Sequence, residues 1–147
     1  MSSTAEADSA RRPRAARVAT FLVAAIVGAV LVNTVIAVLF RAVGASDDFM
    51  PLQPSAYVPF TVIGVLAGVA GWAAVRRWSR RPAAVLRWLV PTVVGVSLLP
   101  DVALLFTDSQ PNTSGIAVAG LIVMHLATAA VAVPMLARAL PLPDSAG

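Results

Sequence analysis

Between Arg17 and Arg41 the chain runs for 23 residues, 18–40, without one charged side chain. About 20 residues at 1.5 Å each are enough to cross a hydrocarbon core. In oil the backbone must satisfy its own N–H and C=O groups, so such a stretch enters a bilayer as a helix. Three more stretches are similarly apolar: 57–75, 88–106 with the single charged residue Asp101, and roughly 115–137. The fold class this predicts is all-α, an integral membrane four-helix up-and-down bundle.

Composition agrees. Hydrophobic residues make up 59% of the 147 and charged residues 12%, against about 45–50% and 25% in soluble domains. Mean hydropathy is +0.84 and the pI is near 11.4. A basic pI raises nucleic acid as a partner, but that reading needs a basic face on a soluble fold, and these arginines sit between apolar blocks. No nucleic-acid partner is expected. All eleven basic residues are Arg, with no Lys, in an Ala- and Val-rich chain, a pattern of high-GC bacterial genomes. Without Cys there is no disulfide, thiolate nucleophile or Cys-ligated metal.

The segments between the apolar stretches divide by charge. Residues 1–17 are polar and Arg-rich with no periodic apolar face, and read as a disordered tail. The first apolar stretch is too long for a signal-peptide core and no small-residue cleavage site follows it, so it reads as a retained helix. Residues 42–56 carry Asp47, Asp48, Pro51 and Pro54, and 107–114 (TDSQPNTS) consists of turn formers, with Ser114 placed to cap the last helix. Pro91, Pro100 and Asp101 interrupt the third stretch, and Pro100 predicts a kink. Ten arginines fall in the N-terminal tail, in the connection between stretches two and three, and at Arg138 beside the C-terminal tail 139–147. The other two connections share only Arg41. Positive charge concentrates on the cytoplasmic side, which predicts a multi-pass protein of the cytoplasmic (inner) membrane with both termini cytoplasmic.

Membrane helices associate through close packing and a few polar contacts. Gly64, Gly68 and Gly71 form a small-residue stripe on the second helix, read as a packing face within the chain or between copies. Ala24 and Gly28 offer a similar pair on the first. Arg76, Arg77, Arg80 and Arg81 read as topology determinants that meet lipid headgroups.

An ionisable group inside the hydrocarbon needs a partner or a purpose. Asp101 lies about five residues, or 7.5 Å, from the end of the third stretch, and His125 is near the middle of the fourth. Asn33, Arg41 and His125 are the partners within reach of Asp101. If Asn33, Asp101 and His125 converge, they form a polar site able to relay protons or hold a ligand. If instead Asp101 meets water at the kink and His125 bonds a carbonyl one turn back, both are structural. One His and one carboxylate do not complete a zinc site, and no nucleophile motif or phosphate loop is present. No metal, cofactor or catalytic residue is expected.

The run GVLAGVAGWAAVRRWSRR, followed by LRWLVPTVVGVSLLP and GLIVMHLATAAVAVPMLAR, resembles a family of short four-helix actinobacterial membrane proteins known only as a domain of unknown function. The likeness spans roughly residues 18–138, most recognisably at Gly71-Trp72 and Met124-His125. It implies four spans and draws attention to His125, and Asp101 departs from its pattern. The expectation is therefore a non-enzymatic membrane protein, structural or accessory, with the lipid bilayer and either further copies or another membrane protein as partners. The alternative is a small carrier, ligand-binding or proton-relay protein that uses Asn33, Asp101 and His125.

Overall fold

The first apolar stretch lies inside one long helix, α1 (Ser3–Ala42), in a computed structural model that describes residues 3–142, with side chains from 15 onward. The helix reaches well into the segment expected to be disordered. Once the apolar helix exists, adding a residue to its end needs no new nucleus, and Ala, Glu and Arg are good helix formers. Residues 1–2 and 143–147 of the expected tails lie outside the described residues.

The other elements are α2 (Pro54–Trp78), α3 (Pro82–Ser97), α4 (Leu99–Ala103) and α5 (Gly115–Ala139), with 3-10 turns at Met50–Leu52 and Leu104–Phe106. Among the described residues there is no strand. Four segments are long and apolar enough to cross a membrane: Ala15–Ala42, Pro54–Trp78, Pro82–Phe106 and Gly115–Ala139. The third breaks at Leu98, two residues before the predicted kink. Pro100 has no N–H to return to the carbonyl of Val96, and the Leu98 N–H turns to Gly95 O at 3.2 Å. Ser97 Oγ donates to Val94 O at 2.7 Å.

Contacts fix the directions of the helices. Gly28 faces Val131, Asn33 bonds Thr128, and Phe40 meets Gly120, so α1 and α5 run antiparallel. Thr61 bonds Asn33 and Tyr57 bonds Thr34, which makes α2 antiparallel to α1. Gly68 lies by Leu136, and Trp72 Nε1 donates to Leu140 O at 3.0 Å, so α2 and α5 are parallel. Leu86 packs with Trp72 and Leu136, while Asp101 reaches His125. Successive long segments therefore alternate in direction. Connections 43–53 and 107–114 share one end of the bundle, and connection 79–81 lies at the other.

Each helix shows the core one stripe. On α1 it is Ala25, Ala29, Asn33, Ile36 and Ala37; on α5 it includes Ala117, Leu121, Met124, Ala132 and Leu136. These spacings of three and four residues place them on one side of each helix. Outside the stripes the surface is apolar, with Val27, Leu31, Val35, Phe60, Ile63, Val93, Val96 and Val123 all exposed.

The 43–53 connection is more than a turn. Phe49 and Leu52 are fully buried and seal that end over Ile36, Ala37 and Tyr57. The path begins at the end of α1, where Ala45 N donates to Phe40 O and Gly44 N to Arg41 O, the two bonds of a Schellman stop. Gly44 holds φ +114°, a conformation side chains disfavour. Arg41 Nη2 donates to Leu52 O, tying the connection back to α1.

Within the chain the glycine stripe packs only at Gly68. The inward face of α2 carries Tyr57, Thr61, Val65 and Trp72, with Gly68 on its edge. Gly64 and Gly71 each fall one residue before an inward position, about 100° around the helix, and a methyl added to either meets nothing within 4 Å. The glycines that matter for close approach are Gly28, where a Cβ would come 3.1 Å from Val131 Cγ1, and Gly120, where it would come 3.0 Å from Phe40 Cγ. Ala24 is exposed, and Ala25 takes the inward place.

Gly120→Ala is therefore expected to lower stability by about 1–3 kcal/mol through overpacking. Gly64→Ala should leave it unchanged or raise it by up to about 1 kcal/mol through helix propensity. Thermal melts of the two variants in one detergent compare them directly, and equal effects would show that the contact between α1 and α5 is not tight at Gly120.

Candidate functional site

The polar side chains of the apolar helices gather in two groups and not in one. Asn33, only 2% exposed, sits where α1, α2 and α5 meet. Its Nδ2 donates to Thr61 Oγ1 at 2.9 Å and to Thr128 Oγ1 at 3.0 Å, so one amide joins three helices. Its Oδ1 is buried with no hydrogen-bond partner. On the next residue of α1, Thr34 Oγ1 donates to Val30 O at 2.8 Å and lies 2.9 Å from the Tyr57 hydroxyl.

The second group is Asp101 and His125. Asp101 is buried in the first turn of α4, and its Oδ2 lies 2.9 Å from His125 Nδ1. The same nitrogen is 3.0 Å from Leu121 O, one turn back on α5. Two oxygens around one ring nitrogen require a proton there, because unprotonated nitrogen and carboxylate oxygen would repel at 2.9 Å. The proton is aligned with Leu121 O, whereas Asp101 Oδ2 approaches off that line and makes no well-formed hydrogen bond. The His125 side chain is 40% exposed, on the side where α3 bends away, and the Asp101 side chain is 12% exposed.

Of the three residues expected to converge, Asp101 and His125 meet. Asn33 is committed to the two threonines, with no hydrogen bond to either. Arg41 turns away from Asp101 to Leu52 O, with its Nε 3.9 Å from Asp47. Thr61, a donor and acceptor at the centre of the first group, was not singled out from sequence. Its signal is its position four residues from Tyr57 and from Val65, on the inward stripe of α2. Among the described residues no third His, Cys, Asp or Glu joins the pair.

Arg76, Arg77, Arg80 and Arg81 lie where α2 ends and α3 begins. Arg77, Arg80 and Arg81 are exposed, while Arg76 is half-buried with its Nε out of solvent. The four acidic residues with described side chains, Asp47, Asp48, Asp101 and Asp108, all lie towards the other end. Ser114 caps α5 by accepting from Ala117 N at 3.1 Å, as its place in the sequence predicts.

The model of a family of unknown function (DUF6069) matches residues 11–141. Neither a curated protein nor a solved structure matches the chain.

The separation of the two groups has a measurable consequence. A double-mutant cycle of Asp101→Asn and His125→Ala should show coupling of about 1 kcal/mol, within the range of polar contacts between membrane helices. Asn33→Ala should add to either change with no coupling beyond about 0.5 kcal/mol. Unfolding in mixed detergent micelles measures both, and strong coupling of Asn33 to His125 would restore the single-cluster reading.

Proposed function

The chain belongs to that family, and from this premise we propose that it is a multi-pass protein of the cytoplasmic membrane of a high-GC bacterium. It has four spans and both termini in the cytoplasm, and it acts as a non-enzymatic structural or accessory bundle. The observation that carries the reading is the apolar outer surface. Large aliphatic and aromatic side chains are exposed on every long helix, which in water would be an aggregating surface and in lipid is the surface to be expected. Charge supports the orientation. The alternating order of the helices collects the ten arginines at one end and leaves Arg41 with Asp47, Asp48 and Asp108 at the other.

In this reading the polar groups hold helices together. Asn33 pins three of them, and the contact between Asp101 and His125 attaches the broken third span to the fourth. That attachment matters because Leu86 and Asp101 are the only buried side chains of the third span. The partners are the bilayer itself and either further copies of the chain or a second membrane protein, met through the outer faces.

One observation favours a second reading, a small carrier or proton-relay protein. A carboxylate oxygen lies 2.9 Å from an imidazole nitrogen in the outer half of the bundle, and the imidazole is partly open. His can change charge near neutral pH.

Reporter fusions test the topology. A phosphatase active only outside the cytoplasm should stay silent at either terminus and become active when inserted at Asp48 or Asn112, and activity at one terminus alone would overturn the four-span reading. Proteoliposomes loaded with a pH-sensitive dye separate the functional readings. The bundle reading expects the same proton leak for the wild type, His125→Ala and empty vesicles, whereas the relay reading expects a leak that His125→Ala abolishes.

A further inference from the structure

The third span is the least enclosed, and its outer face has a shape of its own. Arg81, Ala84, Val85, Trp88, Leu89 and Thr92 line a shallow, almost wholly apolar trough along α3. Their spacing keeps them on one side of the helix. From Arg81 to Thr92 the trough is about 16 Å long at the helical rise, comparable with an extended acyl chain. Ala84 and Trp88 both line it, and Trp88 is 70% exposed. Arg87 holds its guanidinium 5.9 Å from the centre of the Trp88 ring.

At the head of the trough the chain turns over three residues, with Arg81 N donating to Ser79 Oγ at 3.1 Å. This turn places Arg80 and Arg81 together, exposed, with Arg77 in the last turn of α2. The described carboxylates are at the far end of the bundle, so the charge that suits this turn is anionic and comes from outside the described chain. Guanidinium groups bind phosphate through paired N–H donors. An apolar trough that starts at a turn carrying exposed guanidinium groups and runs along a helix long enough to cross a bilayer fits one molecule class in both halves.

We propose that the outer face of α3 is a binding site for a single anionic phospholipid, its phosphate held by Arg80 and Arg81 and one acyl chain lying in the trough from Ala84 to Thr92. The proposal rests on the membrane reading above and adds a stoichiometric site to it. General attraction of headgroups acts on every arginine of that end, whereas a site depends on these two and on the trough.

The test uses the full chain in mild detergent with equimolar phosphatidylglycerol and phosphatidylcholine, and counts bound lipid by native mass spectrometry. The expected result is one retained phosphatidylglycerol in the wild type and in Arg17→Gln/Arg138→Gln. In Arg80→Gln/Arg81→Gln its occupancy should fall at least tenfold. Eight arginines then remain to set the orientation. Ala84→Trp fills the trough on an exposed face and leaves both arginines intact, and it should also lose the lipid. Equal loss from both arginine pairs, equal retention of phosphatidylcholine, or retention in Ala84→Trp would overturn the site. So would a dimer that Ala84→Trp dissociates, which would assign the face to a second copy. A chain that stays monodisperse without detergent would instead remove the membrane reading itself.

Discussion

The close antiparallel contact between α1 and α5 is the interaction on which the rest of the bundle depends. Between helices in lipid there is little hydrophobic gain, because the acyl chains they displace are as apolar as the side chains that replace them. What remains is dispersion, which falls off steeply with distance. Ala25, Gly28 and Ala29 on one helix and Ala117 and Gly120 on the other allow the backbones to come close, and Val131 and Phe40 fill the spaces beside the glycines. The seam then gives α2 a groove in which Tyr57, Thr61, Val65 and Trp72 can settle.

The number, type and order of the long helices were legible in the sequence because uncharged length and arginine placement are properties of contiguous residues. Ser114 as a cap was legible for the same reason. The glycine stripe of α2 was not, since a Gly-x-x-x-Gly spacing says that a face is small and leaves open whether that face looks inward. Gly120 is one of several small residues in the run GIAVAGL, and nothing local marks it as the residue beneath Phe40. The helical extension of α1 into the N-terminal segment was not legible, because low apolar content says nothing of the helix that the segment adjoins.

The polar residues divided in a way spacing could not reveal. Asn33 and His125 both belong to helices of the seam, but Asn33 faces the junction with α2 and His125 faces the third span. Position along the helices put both within reach of Asp101. The azimuth around each helix, which depends on how the helices dock, sent them to different neighbours. Arg41 was drawn away by Leu52 O, an acceptor supplied by a connection whose buried Phe49 and Leu52 the turn-forming composition had concealed.

The seam joins α1 to α5, about a hundred residues apart in sequence. During synthesis α1 emerges well before α5, and its small-residue face lacks its partner until α5 has left the ribosome. Assembly of the core is therefore a late event, and the long-range closure it requires is a slow kind of contact to form. A chain released before α5 is complete lacks the central contact altogether, leaving quality control a simple difference between a finished molecule and an unfinished one.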